Sequence, residues 1–92
     1  MAAPGIEIAQ AFGANLTQAR KRAGLSQEEL GFRASLHRTE VGQLERGVRL
    51  ARIDTVVKLA GALKVPPGSL LDGMAWEPGD FRPGGFSTGG EV

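Results

Sequence analysis

Nine consecutive residues, Arg38-Thr39-Glu40-Val41-Gly42-Gln43-Leu44-Glu45-Arg46, bring together side chains that can read the edge of a base pair. An arginine offers two parallel N–H donors that fit guanine O6 and N7. A glutamine amide matches adenine N6 and N7, and a threonine supplies a hydroxyl and a methyl that suits thymine. On a helix each residue rotates by ~100°. With Arg38 at zero, Gly42 falls near ~40°, Arg46 near ~80°, Thr39 near ~100° and Gln43 near ~140°, whereas Leu44 and Val41 fall near ~240° and ~300°. One side is aliphatic and docks; the other shows two arginines, an amide, a hydroxyl and a glycine that lets the backbone approach closely. Glu40 and Glu45 stand at its margins. A major groove ~12 Å wide admits one such helix. The same residue types also occur on ordinary solvated helix faces, so the pattern depends on the scaffold that presents it.

That scaffold reads as helices separated by short breaks. Ile8, Phe12, Leu16, Ala19 and Ala23 make one apolar stripe on a first helix, from about residue 6 to 23, and Gly24 is its left-handed stop. Ser26 followed by Glu29 predicts a capping box, with the serine oxygen accepting from the Glu29 amide and the Glu29 carboxylate accepting from the Ser26 amide. Leu25 and Leu30 stand where a hydrophobic staple packs. This second helix is short, about 27 to 34. The third runs from Arg38 to Arg46, with Gly47 ending it. A loop with Arg49 and Arg52 leads to a fourth helix whose stripe is read as Ile53, Val56, Val57, Ala60 and Leu63. Pro66-Pro67-Gly68 breaks the chain again, and a last turn, 67 to 72, contributes Leu70 and Leu71. The expected fold is therefore all-α, with a lead over 1–5, a helical domain over 6–72 and a Gly/Pro-rich tail over 73–92. With six Gly and two Pro in its twenty positions, that tail is expected to be loosely ordered.

Composition narrows the function classes. Ninety-two residues make one domain at most. With five aromatic residues, the core must come from Leu, Val, Ile and Ala. The absence of cysteine removes disulfides, thiolate metal sites and cysteine nucleophiles, and His37 is the single histidine, so no metal or other cofactor is implied. No apolar run reaches the ~18–20 residues of a membrane helix, and the first residues do not resemble a secretory leader, so a cytoplasmic location is expected. The formal charge of +1 hides a segregation. Residues 12–65 hold ten basic and five acidic residues, and the flanks hold one arginine and five acids. A basic middle between acidic ends suits a polyanionic partner.

Residues 16–71 resemble the Cro/phage-repressor-type (XRE-like) helix-turn-helix family of transcription regulators. The resemblance rests on Arg20, on Gly24-Leu25-Ser26-Gln27-Glu28-Glu29-Leu30, on Leu36 and Val41, on Leu44-Glu45-Arg46-Gly47, and on Thr55 through Leu63. It implies a compact five-helix, lambda-repressor-like fold whose third helix enters the major groove of double-stranded DNA. It further implies base reading by Arg38, Thr39 and Gln43, and phosphate contacts from Ser26 and Gln27 at the amide-rich start of the second helix and from Arg46 and Arg49. Arg20 and Glu45 match a structural ion pair tying the first helix to the third. Five positions depart from the family pattern. Ser35 replaces a turn glycine that often needs positive φ, Gly31 replaces alanine, and His37 replaces a Ser or Thr cap. Lys64 stands where glycine often ends the fourth helix, and Arg52 replaces a small cap before it.

The reading that follows is a sequence-specific, homodimeric DNA-binding regulator on a two-fold operator. The alternative is an antitoxin-like or co-regulatory module whose tail binds a protein. Trp76, Phe81 and Phe86, three of the five aromatics, lie in that tail. They would anchor a partner, mediate dimerisation through a small strand pair, or fold back onto the domain. An enzyme is disfavoured: no Ser/His/Asp set, phosphate-cradling loop or metal-ligand spacing appears, and Glu28 and Glu29 are explained by the cap and helix dipole.

Overall fold

The computed structural model describes residues 5–88. Four helices, α1 (Ile6–Arg22), α2 (Gln27–Ala34), α3 (Arg38–Glu45) and α4 (Ile53–Leu63), are followed by a 3-10 turn (Pro67–Leu71) and two short strands, β1 (Ala75–Glu77) and β2 (Gly85–Ser87). The family-implied fifth helix is thus only this one turn. Pro66 and Pro67 supply no backbone N–H donors, Gly68 is a weak helix former, and Gly73 at φ 83° turns the chain away.

Each helix ends by the same local device. The amide two or three residues past the last helical residue bonds back five positions: Leu25 to Arg20, Leu36 to Gly31, Val48 to Gln43 and Val65 to Ala60, at 2.8–3.2 Å. This closure needs one residue in the left-handed region. Gly24 and Gly47 supply it freely, whereas Ser35 at φ 58° and Lys64 at φ 59° adopt it with a side chain. The serine and lysine that depart from the family pattern therefore keep its backbone geometry.

The core is aliphatic. Leu16 and Phe12 of α1 meet Leu30 and Ala34 of α2, Val41 and Leu44 of α3, Leu59, Ala60 and Leu63 of α4, and Leu70 of the turn. Each fully buried Leu or Val contributes ~1.5–3 kcal/mol. Two expected stripes shift. On α1, Ala9 and Gly13 join Phe12 and Leu16 inside, while Ala23 lies exposed beyond the helix end. On α4 the buried face is Thr55, Leu59, Ala60 and Leu63, and Ile53 and Val57 are 85% and 54% exposed. The helix is apolar on more than one side, so residue type alone did not select the docked face.

Backbone approach sets the pose of α3. A Cβ added at Gly13 would lie 2.5 Å from the carbonyl oxygens of Leu44 and Glu45, so α1 crosses the end of α3 in direct backbone contact. Asn15 of α1 donates through Nδ2 to the carbonyls of Leu70 and Asp72, both at 3.0 Å, and secures the turn from the other side.

The tail is more ordered than its composition implied. β1 and β2 pair antiparallel, with Trp76 opposite Phe86. Their rings meet edge to face, centroids 5.0 Å apart. The glycines and prolines fall mostly in the connection, and both three-residue strands are edges, where they are tolerated. A Cβ at Gly84 would come within 2.6 Å of the Trp76 ring. The fold is therefore helical with one small sheet rather than wholly α.

Candidate nucleic-acid interface

The start of α2 is fixed as its sequence predicts. The Glu29 amide donates to Ser26 Oγ at 3.0 Å, and the Ser26 amide donates to Glu29 Oε1 at 2.8 Å. The bonds from Ser26 hold the Glu29 carboxyl below its ordinary value. Ser26 thus spends its hydroxyl oxygen on the cap, and its hydroxyl proton remains to be donated. At the start of α3, His37 caps despite not being Ser or Thr, its Nδ1 accepting from the Thr39 amide at 3.0 Å.

Arg20 and Glu45 join α1 to α3. Arg20 Nε donates to Glu45 Oε2 at 2.6 Å and Nη2 to Oε1 at 3.1 Å, while Nη1 donates to the Leu25 carbonyl at 2.9 Å. The two side chains are only 13% and 6% exposed. Burial pushes the Glu45 carboxyl up, but the bonds from Arg20 and Gln27 outweigh it and hold the carboxyl below its ordinary value. The bond to Glu45 raises the Arg20 pKa in turn. Glu45 therefore places no free negative charge on the outward face of α3.

Gln27 continues this network, donating through Nε2 to Glu45 Oε1 at 2.9 Å. Its side chain lies over Gly42, where an added Cβ would sit 3.6 Å from Gln27 Oε1 and 3.2 Å from Arg46 Nη1. Gly42 is buried beneath these two side chains. The expectation that Gly42 brings bare backbone to a partner is therefore corrected: its missing side chain makes room for Gln27 and Arg46. Nothing local in the sequence signals the contact between Gln27 and Glu45, eighteen positions apart.

The rest of the face points outward. Val41 and Leu44 are buried, as the wheel requires, and Arg38, Thr39 and Arg46 are exposed. Arg38 approaches only Glu28 Oε2, at 3.9 Å with both side chains mostly exposed, a contact worth little in water. Gln43 is half-buried, and its Oε1 accepts from Arg49 Nη1 at 2.9 Å. That link, too, was not read from the sequence, because it depends on how the loop after α3 is laid back against the helix. Arg38, Thr39, Gln43, Arg46, Arg49 and Gln27 are thus assembled around one helix face, with Ser26 at its edge. The tail aromatics lie apart on the hairpin, which meets the domain at α1. Trp76 is 55% exposed, Phe86 is 41% exposed and Phe81 is fully exposed in the connection between the strands.

Two short helices set at a tight turn, the second clamped on its aliphatic side and cationic outside, define a helix-turn-helix protein. The Helix-turn-helix family HTH_3 matches residues 16–70. The chain belongs to this family of DNA-binding transcription regulators. It is 42% identical over 62 residues to the control protein C.BamHI of Bacillus amyloliquefaciens, covering 66% of this chain and 76% of that protein. It is 35% identical over 66 residues to the control protein C.SmaI of Serratia marcescens, covering 72% and 79%. Among solved structures, it is similar to the restriction-modification controller protein C.AhdI of Aeromonas hydrophila. That match has 42% identity and a TM-score of 0.66, and covers 67% of this chain and 94% of that one. The family match ends before β1, so the hairpin lies outside it. No helix among the described residues is long and apolar enough to cross a membrane.

Proposed function

We propose that this protein is a homodimeric, sequence-specific DNA-binding regulator of the controller type, acting by binding alone, with α3 in the major groove. The observation that carries this reading is the outward set Arg38, Thr39 and Gln43 on a helix whose opposite side is locked into the core. Arg38 is the principal base reader, since only a weak contact with Glu28 holds it. Gln27, Ser26, Arg46 and Arg49 meet the phosphates and set register. A single copy of this domain buries little surface on DNA, so two copies bind half-sites ~34–36 Å apart. Residues 6–72 form the binding unit.

Competition binding with random duplex tests the reading. One sequence is favoured, and Arg38→Ala relaxes the preference at one symmetric position by ~1–3 kcal/mol. Two phosphate-contacting arginines per protomer give a slope of log K against log salt of about −3.6 for the dimer, and Arg46→Gln reduces it to about −1.8. Unchanged base preference in Arg38→Ala would remove Arg38 from base reading.

The hairpin supports a second role alongside the first. Trp76, Phe81 and Phe86 present exposed aromatic surface on an ordered element, which favours a protein contact, with a second copy of this chain or with another protein. Replacing Trp76 and Phe81 by Ser in the full chain lowers the oligomeric mass in solution if the contact is with a second copy. An unchanged mass excludes that role.

A further inference from the structure

The Gln43 amide has two ends, a carbonyl that accepts and an NH2 group that donates. One lone pair of its carbonyl is engaged by the Arg49 guanidinium, at 2.9 Å, which fixes the plane and direction of the amide. The arrangement is anchored by backbone: the Val48 amide donates to the main-chain carbonyl of Gln43 at 3.2 Å and the Gly47 amide to the main-chain carbonyl of Leu44 at 3.1 Å, so the loop bearing Arg49 is tied to the helix bearing Gln43. Among the described residues nothing accepts from Gln43 Nε2, and its two protons are free. We infer that Arg49 is a positioning residue for base reading: by holding the carbonyl, it turns the Nε2 donors of Gln43 toward the groove.

This rests on the proposed groove-reading role of α3 and deepens it to a specificity. An unrestrained glutamine pairs with adenine by accepting from N6 and donating to N7. A glutamine presenting donors selects an edge of acceptors. Guanine, with O6 and N7, is the purine that offers acceptors and no donor there. The intact protein therefore favours guanine at the base facing Gln43, and release of the amide moves the preference toward adenine. Arg49 keeps its other N–H groups for a phosphate, so it serves affinity and selectivity together.

Selections from randomised duplexes with the intact protein, Gln43→Ala, Arg49→Ala and the double variant separate these roles. Gln43→Ala identifies the position that Gln43 reads. At that position Arg49→Ala lowers the ratio of guanine to adenine by about tenfold, within the range of one bidentate contact. The double variant matches Gln43→Ala in base preference. If Arg49→Ala weakens binding to every sequence alike and leaves that ratio unchanged, Arg49 is only a phosphate contact and the inference is overturned. If Gln43→Ala alters no position while Arg38→Ala does, the inference falls and the groove-reading role stands. A protein with no preferred sequence would remove both.

Discussion

Replacing Arg20 by Ala deletes three hydrogen bonds at once, two to Glu45 and one to the Leu25 carbonyl. What remains is a carboxylate only 6% exposed, with Gln27 as its main remaining side-chain donor and Thr17 as a lesser one. Removing one partner of a buried pair costs ~3–5 kcal/mol, and because Gln27 stays and the rim is hydrated we expect the lower end, about 3 kcal/mol. In a domain of this size that is a fall in Tm of roughly 12–24 °C. Thermal and urea unfolding followed by circular dichroism at neutral pH measure it. The sign of the pH dependence is fixed by Glu45, whose carboxyl lies below its ordinary value of 4.5 in the folded protein. A depressed carboxylate contributes stability that is present above its unfolded pKa and lost as pH falls through the folded one. The difference between intact protein and Arg20→Ala is therefore widest near neutrality and closes on acidification below about pH 4.5. The double replacement Arg20→Met/Glu45→Leu recovers most of the loss, since it leaves no buried charge. A loss below ~1 kcal/mol, or a difference that persists unchanged into acid, would refute this account of the pair.

The same substitution should have opposite signs at two glycines. Gly13→Ala forces a methyl against the α3 carbonyls and destabilises by ~1–3 kcal/mol or more, whereas Gly61→Ala, on the exposed side of α4 with no neighbour within 4 Å, stabilises by ~0.5–1 kcal/mol; urea midpoints compare them. Ser35→Gly relieves a left-handed serine and raises stability by about 1 kcal/mol, visible as a higher Tm; a lower Tm would mean that Ser35 is not strained. The intact protein holds its stability down to about pH 4.5 and loses it below, as Glu45 and Glu29, both depressed in the fold, take up protons; unfolding midpoints across that range report it.

Helix boundaries were legible because single residues enforce them. Gly24 and Gly47 carry the left-handed closures, and Ser26 with Glu29 makes a cap contained within four residues. Which side of a helix docks was legible for α3, where aliphatic and polar residues segregate, but not for α4, where Ile53 and Val57 are as apolar as the buried Leu59. The ion pair between Arg20 and Glu45 was available through family resemblance, not through spacing. The covering of Gly42 by Gln27 and the engagement of Gln43 by Arg49 depend on tertiary placement, and no local pattern encodes them. A strand pair in the tail was legible only as one of three alternatives for its aromatics, because glycine and proline density argues against long strands but not against a three-residue edge pair closed by Trp76 on Phe86.

Methylation interference on the preferred duplex tests the central claim most directly, because one reagent marks guanine N7 in the major groove and adenine N3 in the minor groove. The account predicts that methylated guanine N7 blocks binding at two symmetric clusters about one helical turn apart, and that Arg38→Ala removes the block at one guanine in each cluster. Interference confined to adenine N3, or none at guanine N7 within the bound site, would contradict it.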